Sequence, residues 1–134
     1  MGGSNYVEEA LLVTASIIVG AGGVQLLHAA AGTPVYAIAA IDVTNTEGYT
    51  KEFLPKTQPA IKEAGGEYVA GGMNKTTMFD GMKPPSRVVI IKFPNMDAWN
   101  KFEDGDGGKK ARMELGHKYG DWKALWVVEG AEMK

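Results

Sequence analysis

The 134-residue chain contains no cysteine. Disulfides, thiolate nucleophiles and Cys-ligated zinc are thereby excluded, while the redox compartment stays open. Histidine is scarce: His28 and His117 are the only two, and neither stands in a metal-ligand spacing. No Lys or Arg precedes Lys51. Nor is there an excess of one charge: 14 basic residues face 16 acidic ones, and setting aside Glu8 and Glu9 leaves 14 of each from Gly32 onward. A balanced body offers no electrostatic footprint for nucleic acid or an anionic membrane. The rest of the composition, 45% apolar and 22% charged, is ordinary for a globular protein, and the length suits one domain.

Ala10 to Leu27 is apolar or small, with Thr14, Ser16 and Gln25 as mild exceptions. As helix it spans about 27 Å, borderline for a membrane. Three readings of residues 1–31 stay open. A signal peptide has its apolar stretch and an Ala29-x-Ala31 cleavage site, but Glu8 and Glu9 stand where positive charge is usual. A retained apolar helix explains those acids as Asn5 and Glu8 of a capping box. A membrane anchor lacks flanking Lys or Arg to orient it. Met1-Gly-Gly-Ser4 also has the composition of an appended tag. Cleavage implies a periplasmic or secreted protein; retention implies a cytoplasmic or membrane-associated one. Residues 32–134 form the separate globular domain.

That domain is organised around Arg87-Val-Val-Ile-Ile-Lys-Phe93, a β-branched run closed by Pro94. Both of its faces are apolar, so it belongs in the middle of a sheet. Val35 to Val43 reads as a first strand with two apolar sets, one around Ile38 and one around Ile41. A helix follows, capped by Thr44 or Thr46, with Tyr49, Phe53, Ala60, Ile61 and Ala64 facing the sheet. Pro55 and Pro59 predict a bend or break near Leu54, and Gly65-Gly66 ends the helix. Glu67 to Gly71 starts a second strand, Gly72 suggests a bulge before the polar run Met73 to Thr77, and Asp80-Gly81 and Pro84-Pro85 mark the turn region that follows. Asn95 or Asp97 opens a second helix, which Gly105-Asp-Gly-Gly108 interrupts before it resumes over Lys109 to Tyr119. Lys123 to Glu129 is the last strand. The order βαββαβ predicts an α+β fold: a four-stranded antiparallel sheet, order 4-1-3-2, with the helices on one face. Covering the other apolar face calls for a second copy and a two-fold homodimer.

From Tyr36 onward the chain resembles the domain-of-unknown-function family 1330, within the dimeric α/β-barrel superfamily. The resemblance rests on Tyr36 and Asp42 framing the first strand, Tyr49, Gly65-Gly66, Asp80-Gly81 and Pro85-Ser86-Arg87. It continues through Phe93-Pro94, Ala98 and Glu129-Gly130. The family's second helix usually carries a Ser-Pro-Glu-Tyr-like segment, which Gly105-Asp-Gly-Gly108-Lys-Lys replaces here. The resemblance implies a ferredoxin-like fold and a homodimer, and no established reaction. Superfamily relatives include cofactor-free monooxygenases, haem-degrading enzymes and lactone isomerases, so enzyme function enters by analogy only.

The antiparallel topology places the end of the first strand, Asp42, near Arg87 and near His117 ahead of the last strand. The first helix also begins at this rim, presenting unpaired backbone donors. As a catalytic set, Arg87 holds a carboxylate or enolate, Asp42 orients Arg87 and His117 moves a proton. As a structural set, Asp42 and Arg87 form an ion pair that fixes register, with His117 in solvent. No cofactor or metal is called for. Asp104-Gly-Asp106 lacks the remaining marks of a calcium loop, and Gly107-Gly-Lys-Lys those of a phosphate loop. Haem on His117 is suggested only by a branch of the superfamily. Two function classes result: a small-molecule binder or cofactor-free enzyme, with Gly105–Gly108 as a mobile lid, or a non-catalytic homodimeric structural or stress-related envelope module.

Overall fold

A computed structural model describes residues 32–131, so residues 1–31, with the signal-peptide and apolar-helix readings, lie outside the described residues. Strands β1 (Val35–Val43), β2 (Glu67–Gly71), β3 (Arg87–Phe93) and β4 (Gly120–Glu129) form one antiparallel sheet. Its order is β2-β3-β1-β4, as expected from the element order. The β-branched run of β3 therefore does sit centrally, paired with β1 on one side and β2 on the other. Strand β4 begins three residues earlier than its apolar pattern suggests: Gly120 and Asp121 are poor strand formers, yet they pair with Val43 and Asp42. A bulge at Lys123 separates Ala124, opposite Ala40, from Trp122, opposite Ile41.

Three helices complete the described residues: α1 over 46–63, α2 (Met96–Asp104) and α3 over 106–119. None is long and apolar enough to cross a membrane. Asn45, rather than either threonine, caps α1: its side chain accepts from the Gly48 N–H at 2.9 Å. The expected break near Leu54 does not occur. A π-helical turn over Tyr49–Phe53 precedes Pro55, and the Leu54 N–H reaches the Tyr49 carbonyl. Widening the turn lets the chain continue past a proline that has no N–H to donate. Gly65 ends α1 in the left-handed conformation (φ 89°), and the Gly66 N–H closes back onto the Ile61 carbonyl. Asn95 caps α2 in the same manner as Asn45 caps α1.

The helices cover the face of β1 that carries Val35, Ala37, Ala39 and Ile41, which are almost fully buried. Phe93 adds the largest buried side chain, with the rings of Trp99 and Phe102 5.4 and 5.6 Å away. The opposite face carries Ile38, Ala40, Val88 and Ile90, with Trp126 and Val128 exposed at its β4 side.

Gly71 ends β2 with φ 82°, and a Cβ there would lie 1.9 Å from the Val88 carbonyl oxygen. Gly81 has a similar φ of 84° but open space around it. Gly71→Ala therefore combines backbone strain with a backbone clash and is expected to destabilise by about 3 kcal/mol or more, against about 1 kcal/mol for Gly81→Ala. Urea unfolding of the two variants checks the difference.

Candidate functional site

Between the sheet and the helices lies a cavity of about 50 Å³. Its floor is the inward face of β1 and β3, with Ala39, Ile41 and Val89 exposed to it; small residues on β1 leave the space. Its polar lining consists of Tyr49, Thr57, Tyr68, Arg87, Arg112 and Trp122. No Asp, Glu, His or Lys among the described residues borders it.

Arg87 opens β3 opposite Ile41, so strand alternation sends its side chain beneath the helices. Only 7% of the residue is exposed. The guanidinium lies 5.4 Å from the centre of the Tyr49 ring. Its Nε is buried without an acceptor, and no carboxylate among the described residues lies within ion-pair distance. Trp122 Nε1 is a second buried donor with no acceptor. Arg112, by contrast, is satisfied: it forms a two-pronged pair with Glu103, at 2.5 and 2.8 Å.

Burial raises the Tyr49 phenol above its ordinary value of 10.0, and the Arg87 charge holds back part of the rise. Burial likewise raises Tyr68, opposed by a hydrogen bond with Gln58 and by Arg87. Both phenols are therefore neutral near pH 7 and act as hydrogen-bond donors as well as acceptors. The cavity thus presents one unneutralised cation and several N–H and O–H donors. It is suited to holding an anion or stabilising an oxyanion, and the described residues that line it include no carboxylate, imidazole or amine to abstract a proton.

The rim assembled from the sequence does not form. Asp42 follows Ile41, the residue paired with Arg87, so its side chain lies on the opposite face of the sheet. There Asp42 Oδ1 accepts from the Ser86 N–H at 2.9 Å, while Ser86 Oγ accepts from the Val43 N–H. Neither the catalytic pairing nor the ion pair between Asp42 and Arg87 is present. His117 is exposed and does not border the cavity; its ring stacks on that of Trp122, with centroids 5.7 Å apart. Topology brings these three residues to one end of the sheet, but side-chain direction separates them. Gly105–Gly108 is not built as a lid either. Gly107 and Gly108 are buried, and a Cβ on Gly107 would meet Ala60 Cβ at 2.4 Å. The residues missed by sequence reasoning are Tyr49, Tyr68, Arg112 and Trp122. Only Tyr49 and Trp122 left a signal, as aromatics at core-facing positions.

An open groove of about 580 Å³ adjoins the cavity, formed by the first turns of α1 and the loop over 72–86. Tyr49, Leu54 and Arg87 border both spaces, so these three side chains stand between the groove and the cavity.

Comparison with known proteins adds a family and a fold. Residues 34–131 match the model of a domain of unknown function, DUF1330. No curated protein matches the sequence. The crystal structure of RPA0582, a protein of unknown function from Rhodopseudomonas palustris, is similar, with a TM-score of 0.56 at 13% identity over 83% of this chain and 92% of that one. The structure of methylated RPA0582 protein gives 0.58 at 12% identity over 81% and 90%. At such identities the likeness concerns the fold alone.

The two raised phenols have a consequence for stability. Above their ordinary value of 10.0 the folded chain holds protons that the unfolded chain has released, so stability is unaffected below that pH and falls above it. Tyr49→Phe is expected to flatten this alkaline fall, as measured by urea midpoints from about pH 9 to about pH 11.

Proposed function

This chain belongs to the DUF1330 family, and we propose that it binds a small carboxylate in the cavity between sheet and helices, with Arg87 as the anchor. The observation that carries this reading is an arginine that is only 7% exposed, with no carboxylate among the described residues in ion-pair distance and its Nε unsatisfied. An ion removed from water without a partner costs several kcal/mol, so a chain that retains one there gains from an anion arriving. Neutral Tyr49 and Tyr68 supply further donors, and the groove supplies the way in. The absence of a base from the lining favours binding over proton transfer, and His117 has no part in it. A carboxylate in the cavity takes the place that the sequence assigned to Asp42.

A second copy of the chain is the proposed cover for the open sheet face. Its Ile38, Val88 and Ile90 together with exposed Trp126 and Val128 form an apolar surface of the kind monomers rarely leave to water. With this strand order, pairing through that face makes a ferredoxin-like fold into a dimeric α/β barrel.

Thermal shift with short carboxylates tests the anchor. Wild type is expected to be stabilised and Arg87→Met to be indifferent to them. Without ligand, Arg87→Met should change stability by less than about 1 kcal/mol, because the relieved orphan donor, about 1–3 kcal/mol, offsets the lost contact with Tyr49. A purely structural arginine would cost about 3–5 kcal/mol on removal. Equal stabilisation of both proteins moves the ligand elsewhere, and no stabilisation of wild type leaves the non-catalytic module. For the dimer, sedimentation of wild type at micromolar concentration should give a dimer, and Ile90→Asp a monomer with a lowered Tm.

A further inference from the structure

We infer that Trp122 is a second recognition residue in the cavity, and that the ligand is a short aliphatic oxo or hydroxy monocarboxylate whose second oxygen accepts from the indole N–H. The inference rests on the Arg87 reading and deepens it. Ile41 is paired with Arg87 on one side and with Trp122 on the other. The three residues form one row across β3, β1 and β4, so the Cα atoms of Arg87 and Trp122 are about 10 Å apart, twice the strand spacing. All three point to the helix side, and the side chains of Arg87 and Trp122 both border the cavity. Each carries a buried N–H donor that the protein leaves without an acceptor. Buried polar groups are overwhelmingly paired in folded proteins, and two orphans of the same kind, on side chains that border one cavity across a single residue, mark a place for acceptors.

Charge and volume narrow the class. Among the described residues Arg87 is the one cation bordering the cavity without a carboxylate partner, since Arg112 is neutralised by Glu103. One unpaired positive charge suits one carboxylate, while a second carboxylate would be buried without a counter-charge. The indole is a neutral donor and suits a neutral oxygen, a carbonyl or hydroxyl. The cavity, at about 50 Å³, is well below the roughly 150 Å³ that admits a benzene ring. Its lining includes the apolar side chains of Phe53, Val89 and Ile41, the last lying between Arg87 and Trp122 in the row, and these suit a short aliphatic body. Trp122 is itself held in place: the His117 ring stacks on it, Phe53 meets it edge-on at 6.0 Å and the Arg112 guanidinium lies 6.0 Å from its ring. A donor so fixed loses little freedom on binding.

Calorimetric titration of the full chain with pyruvate against propionate, and glyoxylate against acetate, tests the inference. Within each pair the acids differ at one oxo oxygen. Wild type is expected to bind at least one oxo acid about tenfold or more tightly than its plain partner, because the plain acid leaves the indole donor unpaired. Trp122→Phe keeps an aromatic ring, smaller than the indole, and removes the donor; it should erase that preference while keeping the affinity for the plain acid. Arg87→Met should lose all four. In wild type alone, the oxo acid should also shift tryptophan emission to longer wavelength where the plain acid does not, a readout independent of whether the variant folds. Equal binding within both pairs by wild type overturns the role of Trp122 and leaves the Arg87 reading standing. A preference that survives in Trp122→Phe overturns it equally. Binding of none of the four acids overturns both readings.

Discussion

The pairing of Ile41 with Arg87 in the β1–β3 ladder sets the side-chain direction of both central strands. Because a strand alternates with a period of two, that one pair commits Val35, Ala37, Ala39, Ile41, Val89, Ile91 and Phe93 to the helix side. It commits Arg87 to the same side, under the helices and away from water. A slip of one residue would expose the core and bring Arg87 out beside Asp42. The large apolar loss in such a slip is what keeps a cation in a buried position.

Helix geometry is adjusted around that constraint. The π-helical turn over Tyr49–Phe53 places both aromatic rings against the cavity and carries α1 past Pro55. Opposite it, Gly107 allows α3 to start in backbone contact with α1, and Gly108 departs from helical geometry at ψ −119° where it borders the cavity. The Tyr119 ring covers Gly48, and its hydroxyl donates to Glu52 at 2.8 Å, which joins the ends of α1 and α3. Small residues at the helix contacts and alanines on β1 thus bring the layers close without filling the space between them. What remains is a small cavity whose polar groups are almost all donors.

Electrostatics then separates the two arginines that border this space. Arg112 has a carboxylate in a two-pronged geometry, the arrangement that best offsets the loss of hydration. Arg87 has a phenol and the face of its ring, which compensate a charge only in part. The difference is local and physical: Glu103 lies at the end of α2 beside Arg112, while the acid nearest in sequence logic to Arg87, Asp42, is turned to the far face of the sheet and occupied by Ser86.

The sequence by itself determined the elements and their order. The β-branched run closed by Pro94 marked β3, apolar alternation marked β1 and Gly65-Gly66 the start of β2, while the bulge expected at Gly72 falls instead between Tyr68 and Ala70. Asn95 and Gly65-Gly66 marked helix ends, and βαββαβ led to the strand order. These are local signals, carried by propensity, capping and periodicity. What only the tertiary structure decided was which set of β1 faces the helices, since Ile38 and Ile41 both sit in sets that are mostly apolar. That choice fixes the site. Asp42 and Arg87 are neighbours in topology, yet their parity is set by a non-local hydrogen-bond register, and the register places them on opposite faces. The junction of Arg87, Trp122, Tyr49 and Tyr68 arises from four separate elements, with no spacing or motif to announce it. Local sequence specifies where a strand lies; which of its side chains meet depends on the partner strand and on the layer packed above it.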